Sequence, residues 1–196
     1  DAGGVFFIPA EDTGMRALVR GAPRRYDVPP HQRHSPVMPT SRLRAISSSD
    51  YDPITACVDA WWGGRPVRAL LPRLFFEHFQ PTSFVLASQD VIEAFLIGFI
   101  SQTDPRIAYV HFVGVDPALR GRGIGRMLYE HFFDIVRARG CTQVCSITSP
   151  ANKGSIDFHR KMGFAIAPGT GEMDGVPVHL DYAGPGQHRV RFSREL

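Results

Sequence analysis

Six consecutive residues, Arg120-Gly121-Arg122-Gly123-Ile124-Gly125, stand between an apolar run that ends at Val115 and an amphipathic stretch that opens at Ile124. A strand that enters a helix through a glycine-rich turn is the signature of an α/β unit, and it limits what the rest of the chain can build around it. The first turn of a helix leaves four backbone N–H groups without intrahelical partners and carries partial positive charge. Glycines that let a ligand approach the backbone therefore make such a turn an anion site. Arg120 and Arg122 add charge for phosphate oxygens. The expected ligand bears a pyrophosphate.

The spacing excludes two common phosphate loops. A P-loop places Lys and then Ser or Thr after its last Gly, where this chain has Arg126-Met127. A dinucleotide fingerprint begun at Gly121 or Gly123 requires Gly or Ala at position 126 or 128, and Arg126 and Leu128 stand there. What remains is Arg-x-x-Gly-x-Gly, after the strand end Val113-Gly114-Val115 and before a long helix. It resembles the pyrophosphate loop of the GNAT superfamily of acyl-CoA-dependent N-acetyltransferases. On this segment alone, a turn that merely joins strand to helix stays open as the alternative.

Patterning organises the rest. Residues 1–41 carry Pro9, Pro23, Pro29, Pro30, Pro36 and Pro39 among scattered Arg, Gly and His, with no sustained periodicity, and read as an extended arm. Val5 to Ile8 could add an edge strand, and Met38 precedes the first regular element. Residues 42–196 read as one domain. Leu43 to Ile46 form a strand, and Ser49 with Asp52 makes a capping-box start for a helix. That helix buries Ile54, Cys57, Val58, Trp61 and Trp62 on one face and ends at Gly63-Gly64. A short helix follows from Pro72 to Phe79, then strands at Ser83 to Ala87 and Glu93 to Ser101, joined by a turn around Gln89-Asp90.

The strand from Ala108 to Val115 is apolar on both faces, as in a sheet covered on both sides, and its Gly114 marks a bulge or a close ligand approach. The helix after the loop presents Ile124, Met127, Leu128, Phe132, Ile135 and Val136 and stops at Gly140. A strand at Thr142 to Thr148, a helix at Ser155 to Met162 and strands at Phe164 to Ala167 and Arg189 to Arg194 complete the chain. The expectation is a mixed α/β fold with helices on both faces.

Composition closes off other classes. No run of ~18 apolar residues suits a membrane span. Only Lys153 and Lys161 are lysines among 22 basic residues, and the arginines scatter from Arg16 to Arg194 instead of clustering beside aromatics, so a nucleic-acid reader is not expected. Cys57, Cys141 and Cys145 are odd in number and lack Cys-x-x-Cys spacing, which points to a reducing compartment. Four apolar side chains at Val5 to Ile8, stopped by Pro9, do not make a secretory leader, so a cytoplasmic location is expected. The eight histidines show no helical pair with an added carboxylate, and no metal is expected.

A second block, Ile147-Thr148-Ser149-Pro150-Ala151-Asn152 through Phe158-His159 to Gly163-Phe164, lies about 30 residues after the first and resembles the other sequence block of the same superfamily. Two motifs in the right order carry the resemblance, which extends over roughly 42–194, is specific over 108–164 and is loose from Gly175 to Phe192. It implies a mostly antiparallel sheet of six to seven strands with a splayed central pair. It also implies acetyl-CoA as co-substrate, held in the V where the strand ending at Val115 parts from the strand at Cys145 to Thr148. Pantetheine would pair with Val113 and Val115. The pyrophosphate would take the N–H groups of Arg120, Gly121, Arg122, Gly123, Ile124 and Gly125, with Arg126 beside them. Asn152, Ser155 and Phe158 would lie near the pantetheine end.

Transfer to an amine requires a neutral nitrogen, a polarised carbonyl and a proton for the departing thiolate. The resemblance implies that a strand N–H near Val113 meets the acyl carbonyl. His111, four residues before Val115, is the candidate base, with Tyr109 on the same face to hold a water or the acceptor; a satisfied strand histidine is the alternative. His159 stands where most members carry the Tyr that protonates the thiolate. It is either that acid or a neutral His that hydrogen-bonds the sulfur or the acetyl end. Cys145 is read as a small apolar residue of the core in preference to a nucleophile.

Acceptor selectivity falls to the first two helices and later loops, with Trp61, Trp62, Arg65, Phe75, Phe76, Glu77 and Glu93 in view. The acceptor class is a small-molecule amine or a protein amino group, and a homodimer is compatible with the resemblance. Two alternatives are a transferase for another acyl-CoA and a non-catalytic acyl-CoA-binding sensor.

Overall fold

The computed structural model describes residues 41–89 and 91–196. The arm expected over 1–41, its candidate edge strand at Val5 to Ile8 and Met38 lie outside the described residues, Ser41 excepted. Along the chain run β1 (Arg42–Ala45), α1 (Tyr51–Trp61), α2 (Leu74–His78), β2 (Phe84–Ser88), β3 (Val91–Ile100), β4 (Ile107–Val115), α3 (Ile124–Ala138), β5 (Gln143–Thr148), α4 (Lys153–Lys161) and β6 (Ala165–Ile166). A small hairpin of β7 (Gly171–Met173) and β8 (Val176–Val178) precedes β9 (Val190–Glu195). The hairpin was absent from the sequence reading. Its strands are three residues each, too short to show alternation, and the Asp174-Gly175 turn between them is the signal that could have found it.

Seven strands form one sheet in the order β1-β2-β3-β4-β5-β9-β6. Every neighbouring pair is antiparallel except β4 and β5. Helices cover both faces. On one, Ile54, Val58, Trp62 and Phe76 of α1, α2 and their ends pack on Val85, Phe95, Ile97 and Phe112. On the other, Leu128, Tyr129, Phe132, Phe133 and Val136 of α3 and Ile156 of α4 pack on Leu96, Val110, Val113, Val115 and Val144.

Local choices differ from the sequence reading in instructive ways. The cap at the start of α1 uses Ser47 and Asp50, not Ser49 and Asp52: the Asp50 carboxylate accepts from Ser47 N and Oγ at 2.8 and 2.9 Å. Arg44 grips the same carboxylate through both terminal nitrogens at 2.8 and 2.7 Å, tying β1 to this corner and keeping Asp50 satisfied while buried. Met127 of α3 is 37% exposed while Tyr129 and Phe133 are buried. The apolar stripe is rotated because Phe164, which meets both rings, covers that flank.

Two glycines admit aromatic rings. A Cβ on Gly114 would stand 2.5 Å from Phe95 and 3.1 Å from Trp62, so Gly114 makes room for core rings and is neither a bulge nor a ligand approach. Gly98 does the same for Phe132. The bulge lies elsewhere. Ile97 pairs with Phe112 but Gly98 pairs with Val110, which leaves His111 as the extra residue of β4.

The central pair parts just below that bulge. β4 and β5 are in register only at Ile107 with Gln143, Ala108 with Val144 and Tyr109 with Cys145. The strands diverge beyond that rung, and Ser146 Oγ donating to Val110 O at 3.1 Å is the last bond across the crotch of the V. A bulge raises local twist, which accounts for β4 leaving its parallel neighbour there.

Candidate functional site

The mouth of α3 is built for an anion. Gly121 and Gly123 take φ of 77° and 81°, a left-handed conformation that favours glycine, and no atom lies within 4 Å of where their Cβ atoms would stand. Met127 is the first residue of α3 whose N–H bonds back, onto Gly123 O at 3.0 Å. The amides of Ile124, Gly125 and Arg126 therefore open the helix with no intrahelical partner. A cavity of about 210 Å³ adjoins them, lined by Val115, Leu119, Gly125, Phe158, Lys161 and Met162 among others. Arg126 lines it, exposed and 3.6 Å from Glu130, and Arg122 is exposed in the loop.

Arg120 has another job. Its Nε donates to Val115 O at 3.1 Å and its terminal NH2 to Trp61 O at 2.7 Å. The guanidinium ties the end of β4 and the end of α1 to the loop while Arg120 also lines the cavity. Burial lowers its pKa without threatening its charge.

Among the described residues no strand pairs with the edge of β4 that faces the V past the crotch. Asp116 N–H bonds Glu93 O on the β3 side at 2.8 Å, and alternate residues of a strand share an edge. Val113 and Val115 consequently present their main-chain groups toward the gap, with Val115 O already taken by Arg120. Asn152, expected near the pantetheine end, caps α4: its Oδ1 accepts from Ser155 N and its Nδ2 donates to Thr148 Oγ1, both at 3.2 Å. Ser155 is fully buried, while Phe158 is half-buried and lines the cavity.

His159, one of the two histidines singled out in the sequence, lies inside the core. It is 0% exposed and its ring stacks on Phe192 at 4.2 Å. Nδ1–H donates to Ser155 O at 2.8 Å, which leaves Nε2 to accept from Tyr129 OH at 3.0 Å. Burial drives its pKa down to about 4 against the bond to Ser155 O. The imidazole is neutral at pH 7, and both nitrogens are engaged within the core.

On the opposite face of the sheet the bulge turns His111 toward α2, where it stacks on Phe75 at 4.3 Å. Val113 and Val115 face α3. The simple alternation that would put His111 on their face is broken by one residue. Nε2 of His111 donates to Leu70 O at 2.7 Å, which leaves Nδ1 as the lone-pair nitrogen, and burial lowers its pKa below the ordinary 6.5. Tyr109 shares this face, its ring on Phe99 at 5.3 Å. Burial pushes its hydroxyl pKa up, so it stays protonated.

Over the crotch on this same face lies a second cavity, of about 420 Å³, lined by Phe99, Tyr109, Cys145, Ile147, Tyr182, Arg191 and others. Tyr182 and Arg191 come from the stretch where the sequence match is loose and were not anticipated. Cys145 is half-buried on the cavity wall instead of in the core, and burial raises its pKa away from the reactive thiolate. Trp61, Trp62 and Phe76 are core, Glu77 is exposed beside His78, and Glu93 is half-buried. Arg65 donates through Nε to Trp62 O at 3.3 Å. Among the described residues no cluster of His, Cys, Asp or Glu is disposed to hold a metal ion, and no helix is long and apolar enough to cross a membrane.

Comparison with known proteins agrees with this architecture. The family model described as the acetyltransferase (GNAT) family matches residues 43–164. Mycothiol acetyltransferase of Nocardia farcinica is 29% identical over 126 residues, which cover 62% of this chain and 38% of that protein. The chain spans between 30% and 38% of the length of the first relatives it matches. Diaminobutyrate acetyltransferase from Paenibacillus lautus, solved with L-2,4-diaminobutyric acid and coenzyme A, superimposes with a TM-score of 0.60 at 17% identity, over 80% of this chain and 95% of that one. The ribosomal-protein-S18-alanine N-acetyltransferase from Escherichia coli gives 0.56 at 16% identity, over 80% and 94%.

Proposed function

The chain belongs to the GNAT family of acetyltransferases, and from that premise we propose that it moves an acetyl group from acetyl-CoA to an amine by direct attack within a ternary complex. The observation that carries the reading is the division of labour across the sheet. An anion cradle and an unpaired β4 edge open toward α3 and α4, while a neutral imidazole and a hydroxyl face the other side of the same V.

The residues fit coenzyme A on two counts: the amides opening α3 sit beside glycines with no side chain in the way, and the cavity next to them runs to Val115 and Phe158. The amides of Ile124, Gly125 and Arg126 would hold the diphosphate, with Arg122 and Lys161 adding charge. Val113 would pair with the pantetheine arm, and its N–H would polarise the acyl carbonyl, where one such donor contributes about 3 kcal/mol. The thioester supplies an activated acyl group. His111 Nδ1 removes the proton that leaves the attacking nitrogen neutral, and Leu70 O holds the ring in the tautomer with that nitrogen free. Tyr109 OH positions the acceptor or a water between them. The new C–N bond forms as the C–S bond breaks, and the thiolate takes its proton from solvent, since His159 has none to give. The acceptor is a small-molecule amine or a protein amino group.

Three measurements test this. Coenzyme A should raise the melting temperature, and acetyl-CoA should release thiol only with an amine present. His111→Gln should lower kcat by about 100-fold or more while the acetyl-CoA KM changes little, because a positioned base contributes about 10²–10⁴-fold. The depressed His111 pKa places the acid limb of kcat/KM below pH 6.5. Absence of thiol release across an amine panel, with coenzyme A binding intact, would favour a non-catalytic acyl-CoA-binding protein, the reading that the sealed His159 supports.

A further inference from the structure

We infer that the acceptor is an amine that also carries an oxyanion, and that Arg191 reads it; this rests on the acetyltransferase reading above and adds the substrate class. The cavity over the crotch carries positive charge. Its lining includes one charged side chain, Arg191, and no carboxylate among the described residues. Arg191 is exposed, projects from β9 opposite Ile147 of β5, and lies with its guanidinium 5.4 Å from the Tyr182 ring. No carboxylate of the described residues lies within ion-pair distance of it. The neighbouring acids are committed elsewhere: Glu195 accepts from Gln143 Nε2 at 2.8 Å toward the closed end of the strands, and Asp181 accepts from Gly186 N at 2.7 Å.

Tyr109 lies on the same cavity wall with its hydroxyl protonated, so it adds a donor and no negative charge. A cavity whose one charged lining residue is an arginine repels a polyamine or a lysine-rich peptide, and it favours a ligand whose own negative charge meets a planar fork of donors. The geometry also fixes which end goes where. Arg191 lies opposite Ile147, two residues beyond the last paired rung and so toward the open V, while Tyr109 marks the rung itself. The anionic group is thereby held a few bonds from the nitrogen that must reach the V, as in an α-amino acid or an aminoalkyl phosphate. The phenol ring of Tyr182 and the ring of Phe99 leave apolar walls for the carbon skeleton between the two ends.

The test compares matched acceptors that differ only in the oxyanion: glycine with methylamine, phenylalanine with 2-phenylethylamine, and O-phosphoethanolamine with ethanolamine. The carboxylate and phosphate arms separate the two sources of negative charge. In each pair the ratio of kcat/KM for the anionic over the neutral amine should exceed one by about 10- to 100-fold for at least one arm, the range that a charge-assisted bond supports. Arg191→Gln should cut that ratio by a similar factor, Arg191→Lys should retain part of it, and Arg191→Glu should drive it below one. A ratio is insensitive to partial loss of folded protein. A ratio near one in the wild type, or one that Arg191→Gln leaves unaltered, overturns the assignment of substrate class while thiol release with neutral amines keeps the acetyltransferase reading intact. Failure of coenzyme A to shift the melting temperature removes both.

Discussion

Stability against pH gives the most direct access to the buried His159. The folded protein holds this imidazole at a pKa of about 4, against an ordinary 6.5 in the unfolded chain, because burial opposes the charge. Between those two values the unfolded chain carries a proton that the folded one lacks, so stability rises with pH across the window and is lost as pH falls through it. One pKa unit corresponds to about 1.4 kcal/mol, and integration from pH 7.5 down to pH 5 gives a loss of about 2 kcal/mol from this residue alone. The perturbation is His159→Phe, which keeps a flat ring against Phe192 and removes the titration. Urea unfolding of both proteins at the two pH values yields a difference of differences in which carboxylates and the other histidines cancel. Tyr129 keeps its bond with Ser146 in the variant, and the lost bond to His159 lowers stability by about 1 kcal/mol, equally at both pH values, and cancels as well. The wild type should lose about 2 kcal/mol more than the variant on acidification. Equal losses, or a His159 NMR titration centred near 6.5, would refute the sealed neutral imidazole and restore it as a charged proton donor.

Two further outcomes follow from the loop and the cap. Gly123→Ala costs about 1 kcal/mol of stability in a left-handed backbone, seen by urea unfolding, and its methyl stands where the anion would lie, so the acetyl-CoA KM should rise. Asn152→Ala should destabilise the fold by about 1 kcal/mol in the same assay and leave the acetyl-CoA KM within a few-fold, because its amide serves the first turn of α4 and Thr148.

What the sequence made legible were the long periodic elements and the phosphate loop. The helices at Tyr51–Trp61 and Ile124–Ala138 announce themselves through apolar spacing, and Gly121 and Gly123 announce the loop because only glycine suits their φ. The side chains that fold back on the protein were less visible. Arg120 sits in a phosphate motif yet also ties Val115 O and Trp61 O together, and Asn152 sits in the second motif yet caps a helix. Residue type and spacing fix where the backbone goes, whereas which carbonyls lie within reach of an arginine depends on how the ends of α1 and β4 meet. The neutral state of His159 likewise needs Tyr129, 30 residues away, and the Phe192 ring to be seen.

The bulge at His111 is where the two kinds of information meet, and it has the largest consequence for mechanism. Strict alternation from Val115 back to His111 would set base and cofactor on the same side of β4, where α3, α4 and the pantetheine-facing residues already fill the space. The extra residue reverses the phase, so Tyr109, His111 and Phe112 turn to the α1 and α2 face while Val113 and Val115 keep the other. One inserted position thus parts β4 from β5 and opens the V. In the proposed mechanism it would also deliver an unprotonated nitrogen to the side from which the acceptor enters, and it would leave the main-chain edge of β4 for the thioester. Deleting that residue would return the strand to regular pairing and close the gap, so coenzyme A should then no longer raise the melting temperature; an unaltered shift would show that the bulge does not open the V.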